Sequence, residues 1–230
     1  MARKIMTITA IAVLFCVLSA CGTTTGKEPT GNLASGAANK DDVITNESDV
    51  ASHESEVQEN AADEDCFFGY VEDGAFVITK CTSEQETIVV PDTIDGAPVE
   101  KIGVSAFFES PCKHIVLPDT VTFISKEAFL YCHSLQSIEF GNNLQYVGLL
   151  AFSGCNSLRS VSFPDSLKHI ELVFFMCDNL KEVYVPPMAT EVDGIADAGS
   201  CPNIVIITGA GSLVESTAID MGLKTRVING

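Results

Sequence analysis

Basic residues are scarce in this chain: 13 Lys and Arg stand against 31 Asp and Glu, a net charge of −18 over 230 residues. A surface so acidic repels phosphates, which speaks against a nucleic-acid partner. Long apolar runs are also missing. The longest, Ile5 to Leu18, has 14 residues, where a membrane-spanning helix needs about 20. The four histidines (His53, His114, His133 and His169) and nine cysteines show no recognisable metal-ligand spacing. A hydrophobic stretch, Ile204 to Ile207, runs into Gly209-Ala-Gly211 like a dinucleotide-binding turn. The third glycine is replaced by Val214, and too little chain remains for a second strand bearing an acid for the ribose. Neither a metal nor a cofactor is expected, and no catalytic set stands out.

What is present divides along the chain. Arg3 and Lys4 precede the apolar run, as in a secretory leader rather than a membrane helix. The run closes on Leu18-Ser19-Ala20-Cys21, which resembles the bacterial lipoprotein processing box. Residues 1–20 are therefore expected to be a signal peptide, with Cys21 carrying lipid. Two or more acyl chains anchor stably, each buried CH₂ contributing about 0.8 kcal/mol. From Gly22 to Asp65 there is no aromatic residue, and two bases face eleven acids. Such a segment cannot bury enough apolar surface to order itself. Residues 21–65 read as a self-repelling tether with a reach of roughly 35 to 40 Å.

From Cys66 the pattern changes. Phe67 to Val71 and Phe76 to Ile78 read as two strands around Asp73-Gly74, a strong hairpin signal. With a two-residue loop, paired positions sum to 147, which sets Cys66 opposite Cys81 at a hydrogen-bonded pair; a three-residue loop would offset them. A disulfide between these two is compatible with export. Then one phrase recurs. Ile115-Val-Leu-Pro118-Asp119, Val121-x-x-Ile124 and Ala128-Phe129-x-x-Cys132-x-x-Leu135 return from Ile138 and again from Val161, with Val183 opening a looser copy. These starts are 23, 23 and 22 residues apart. A period in the twenties signals a solenoid, in which no unit buries its own apolar face. Cys112, Cys132, Cys155, Cys177 and Cys201 occupy equivalent places and read as small buried hydrophobes. Ser212-x-x-Glu215 is a capping box that opens a helix to about Met221, and Leu223 to Ile228 can add a final strand over the open end.

The repeated Ile/Leu-x-Ile-Pro, Val-x-x-Ile, Gly-x-x-Ala-Phe, x-x-Cys, x-x-Leu phrase resembles the BspA-type leucine-rich repeat family over about residues 66–228. The resemblance implies an α/β solenoid, mostly β, over 66–230, with an N-terminal hairpin and a helix-containing C-terminal cap. It also implies adhesion or ligand binding without catalysis. Strand alternation points Ser137 and Glu139 outward while Ile138 and Phe140 point inward. The outward column reads His114 and Val116, Ser137 and Glu139, Ser160 and Ser162, Glu182 and Tyr184. It is the candidate ligand-binding face, with Tyr184 beside Glu182 as its anchor. The expected partners are a membrane, through the lipid, and a protein or polysaccharide. An envelope structural or assembly role beside another membrane protein is the alternative, and a Cys/His or metal-dependent hydrolase is a third.

Overall fold

Asp73 and Gly74 both take left-handed φ values, 51° and 86°, the geometry of the tight hairpin turn whose twist matches its strands. They join β1 (Phe67–Glu72) to β2 (Ala75–Cys81). The computed structural model describes residues 66–228; the leader, Cys21, the tether and residues 229–230 lie outside the described residues. Near the turn, pairing follows the expected register, with Tyr70 opposite Val77 and Gly69 opposite Ile78. A bulge then shifts it, so that Cys81 faces Phe67 and not Cys66. The extra residue is Thr79, and Gly69 is what permits the kink. A side chain there would meet the Val77 carbonyl oxygen at 2.0 Å and the Phe76 ring at 2.6 Å. Bulges of this kind re-aim a strand. Both sulfurs are thiols, and the Cys66 thiol stays within hydrogen-bonding reach of Cys81.

The coils follow. β3 (Thr87–Val89), β6 (His114–Val116) and β8 (Ser137–Glu139) form one parallel sheet. β10 (Ser160–Ser162), β12 (Glu182–Tyr184), β14 (Val205–Gly209) and β15 (Lys224–Ile228) form a second. On the opposite side, β5 (Ala97–Ile102), β7 (Phe123–Ile124), β9 (Tyr146–Val147), β11 (His169–Ile170) and β13 (Glu191–Val192) continue from β2. A short β4 (Thr93–Ile94) folds back on β5. Its turn, Asp95-Gly96, is again left-handed at both residues, which lets the chain double back from β4 into β5. The third side is a ladder of turns, where Phe107 N–H donates to the Ala128 carbonyl and Phe129 N–H to the Ala151 carbonyl, both at 2.8 Å.

Inside runs a stack of plugs. Phe107, Phe129, Phe152 and Phe174 are each wholly buried. Successive ring centroids lie 5.0, 4.9 and 5.8 Å apart, with interplanar angles of 28°, 2° and 22°. Each ring therefore covers its neighbour rather than its own coil. The cysteine column lies alongside and does more than fill space. Cys132, Cys155 and Cys177 donate S–H to the carbonyls of Phe107, Phe129 and Phe152, one coil back, at 2.9, 3.3 and 3.1 Å. Thiols are weak donors, and these carbonyls already accept a backbone N–H, from Ser110, Cys132 and Cys155, so each thiol adds a second bond that joins one coil to the next.

The chain ends the solenoid by shrinking its plug. Ile195 and Ala196 replace the Ala-Phe pair and are fully buried, with Ala196 bridging to Phe174. Helix α1 (Leu213–Asp220) then packs Val214 and Ala218 over the open end. Ser212 Oγ accepts from the Glu215 N–H at 3.1 Å. The Glu215 carboxylate reaches back to the Gly211 N–H at 2.6 Å, one residue earlier than a standard capping box. Gly222, at φ 73°, ends the helix, and β15 pairs in parallel with β14.

The shared interior makes two measurable demands. Phe152→Ala removes a ring sandwiched by two others and should destabilise the protein by about 3 to 5 kcal/mol in chemical denaturation. Burial pushes the Cys112 thiol up to about 11 and the Cys81 thiol up to about 12, from 9.0. The native state thus keeps protons that the unfolded chain releases, so stability falls as pH rises from 9 towards 12. Cys112→Ala should flatten that decline in urea midpoints measured across the same pH range.

Candidate functional site

Short strands expose every second residue, so the outer wall is a set of columns fixed by pairing register. Thr87, His114 and Ser137 stand opposite one another, as do Val89, Val116 and Glu139. In the second sheet Ser160, Glu182, Val205 and Lys224 align, beside Ser162, Tyr184, Ile207 and Arg226. All eight residues expected on the face are therefore outward, but in two groups of four. Among the described residues no ladder pairs β8 with β10. At that seam Phe140 points inward, as its alternation assigns, and packs against the core while staying only partly buried. It stacks on Phe163 at 5.1 Å and meets Phe152 edge-on at 6.2 Å. Two phenyl rings thus stand in successive coils where the preceding coil has Leu117, and the split in the sheet coincides with the change.

Several of these side chains are tied to neighbours. His114 Nδ1 lies 2.8 Å from Ser137 Oγ. Tyr184 donates its hydroxyl to Asp165 Oδ1 at 3.1 Å, and burial followed by this carboxylate raises its phenol above the ordinary range. Glu182 pairs with Arg226 at 3.0 Å, both about half exposed. Arg226, Lys224, Val205 and Ile207 extend the candidate face beyond the repeats read from sequence. The phrase they would have belonged to had decayed, leaving the apolar stretch Ile204 to Ile207 and the final strand expected over Leu223 to Ile228 as the signals.

A second column went unread, because the short β7, β9 and β11 were recognised only by their inward Ile124, Val147 and Ile170. One residue earlier, pairing aligns Tyr70, Val77, Lys101, Phe123, Tyr146, His169 and Glu191 across seven strands. Lys101 Nζ sits 5.0 Å from the Phe123 ring centroid. The rings of Phe123 and Tyr146 stack at 4.1 Å and 7°, and His169 meets Tyr146 edge-on at 4.8 Å. His169 Nδ1 lies 2.9 Å from Glu191 and its Nε2 lies 3.1 Å from Asp193. Tyr146 donates to Glu171. Burial, then that carboxylate, pushes its phenol up to about 12.

Among the described residues, Cys132 and His133 do not come together as a nucleophile and base. Cys132 is wholly buried and donates into the core, while the exposed His133 ring faces the Gly154 carbonyl at 2.8 Å. Among the described residues no group of three or more His, Cys, Asp or Glu is placed to hold a metal ion. No helix among them is long and apolar enough to cross a membrane.

Comparison with known proteins agrees with this architecture. A leucine rich cell surface protein from Faecalibacterium prausnitzii A2-165 superposes with a TM-score of 0.53 at 24% identity, over 66% of this chain and 39% of that one. A leucine-rich repeat protein from Bacteroides ovatus ATCC 8483 gives 0.50 at 23% identity, over 62% of this chain and 39% of its own. This chain thus spans about two fifths of either structure. No curated protein matches. The family description "BspA type Leucine rich repeat region" matches in six copies over residues 100–215, which is half of the sequence. With its period, plug, cysteine column and fold all in agreement, the chain belongs to the BspA-type leucine-rich repeat family.

Proposed function

We propose that this protein is a lipid-anchored surface module that binds a protein or polysaccharide through its strand wall and performs no catalysis. Leucine-rich repeat proteins generally act as protein-interaction scaffolds, and rigid solenoid walls suit a large ligand better than a small buried one. The observation that carries the reading is the outward register of Glu182 and Tyr184 with Ser160, Ser162 and the terminal strands. Tyrosine contributes contact area with a polar tip, the usual anchor of an interface. The domain boundaries follow the same reading: a leader over 1–20, a tether over 21–65 that holds the solenoid off the membrane, and the binding domain over 66–230. Export would also allow Cys66 and Cys81 to oxidise to a disulfide despite the bulge between them.

Replacing Glu182 and Tyr184 together by alanine in the full-length protein should abolish binding to extracellular-matrix and cell-wall fractions while leaving the thermal midpoint close to wild type; retained binding removes this face from consideration. Cys21→Ser should shift the protein from the membrane pellet to the soluble fraction and prevent incorporation of labelled fatty acid.

A further inference from the structure

The column from Lys101 to Glu191 lies on the sheet opposite the wall just discussed and has a different chemistry. A groove of about 210 Å³ opens at its start, lined by Glu72, Asp73, Glu100, Lys101, Thr122 and Phe123. Three carboxylates and one ammonium make that end net acidic. At the other end Glu191 and Asp193 flank His169 and remain 67% and 72% exposed as side chains, with Glu171 one coil back. Between the acidic ends run the half-buried Phe123 and Tyr146 rings. Their faces are closed against each other and against Lys101 and His169. Open-faced stacking of a sugar is therefore unavailable, and what faces solvent is a narrow strip of ring edges.

Spacing and charge together select an occupant. From β5 to β13 there are four strand intervals of about 4.8 Å, or roughly 19 Å, and an extended peptide covers that in about six residues. Lysine and arginine lay their aliphatic stems along apolar surface while the charged head reaches outward. We propose that this face binds an extended basic segment of a partner protein, with two cationic residues about six positions apart. One head group enters the groove beside Glu72, Asp73 and Glu100, and the other meets the solvent-facing side of Glu191 and Asp193, whose inner side holds His169. Uncharged side chains cross Phe123 and Tyr146. From Cys66 onward nine bases face twenty acids, so the field of the whole domain steers such a segment inward. This face does not depend on the wall that carries the proposed function, and the two are separable by mutation.

The test uses the full-length protein and a fluorescein-labelled peptide, Lys-Thr-Val-Thr-Val-Thr-Lys, read by anisotropy at low salt. Binding is expected, weakening as salt rises. A peptide with glutamate at both ends should not bind, and one with its lysines three apart should bind more weakly. The pairs Glu72→Gln with Glu100→Gln, and Glu191→Gln with Asp193→Gln, should each weaken binding by about tenfold, the loss of one partly exposed charge contact. Glu182→Ala with Tyr184→Ala should change nothing. Thermal midpoints near wild type establish that the glutamine variants are folded. The proposal is overturned if wild type ignores the peptide, if both glutamine pairs bind it as wild type does, or if spermine or a linear oligosaccharide displaces it at equal concentration.

Discussion

Every coil in this molecule has an interior that belongs to its neighbours. The phenyl ring of Phe129 is enclosed by Phe107 on one side and Phe152 on the other, and its backbone N–H is satisfied by Ala151 in the following coil. A single 23-residue unit has too little apolar surface to offset the entropy of fixing its own chain. Stacked units share both the hydrophobic burial and the hydrogen bonds, and stability accrues at the interfaces between coils. Even the cysteines conform: Cys132, Cys155 and Cys177 each reach a carbonyl one coil back, so residues read as inert filler also tie adjacent turns together.

The same logic makes the two ends the vulnerable parts, and each is closed differently. At the start, β1 and β2 run antiparallel and present a bulged edge, with Gly69 allowing the Phe76 ring and the Val77 carbonyl to approach. A bulge twists an edge away from further pairing. At the finish the plug shrinks to Ile195 and Ala196, and α1 lays Val214 and Ala218 over what remains. The last strand carries Lys224 and Arg226, charges that discourage another chain from adding to the edge. Neither device repeats, because an end has only one neighbour.

Inward positions were legible from sequence for a simple reason. Ile115, Ile138, Val161 and Val183 must each meet the same surroundings, and so must the Phe and Cys columns, which imposes the period on the letters. Outward positions feel no such demand. Lys101, Phe123, Tyr146, His169 and Glu191 are five different residues at one repeat position, and no periodicity links them before pairing aligns them. The expected wall points outward but is not continuous, since strand alternation fixes direction and says nothing of whether β8 and β10 form a ladder. The hairpin was legible at Asp73-Gly74 and holds its register as far as the Gly69–Ile78 pair, but the bulge at Thr79 was not legible, because turn chemistry sets pairing next to the turn and does not mark where an extra residue enters.

Because the core fixes spacing, the surface inherits a ruler. Side chains on either sheet stand one strand interval apart whatever their chemistry, so a ligand meets groups already held in place and less of the binding energy is lost to ordering them. The hydrogen bonds of the Tyr184 hydroxyl to Asp165 and of Tyr146 to Glu171 act in this direction, as does His169 held between two carboxylates. Each restricts a rotamer before any partner arrives. A solenoid of this kind can therefore carry two unrelated columns on opposite sheets, one of small hydroxyls ending in tyrosine and arginine, the other aromatic between acids. Substitution in either column leaves the inward residues that hold both in register untouched.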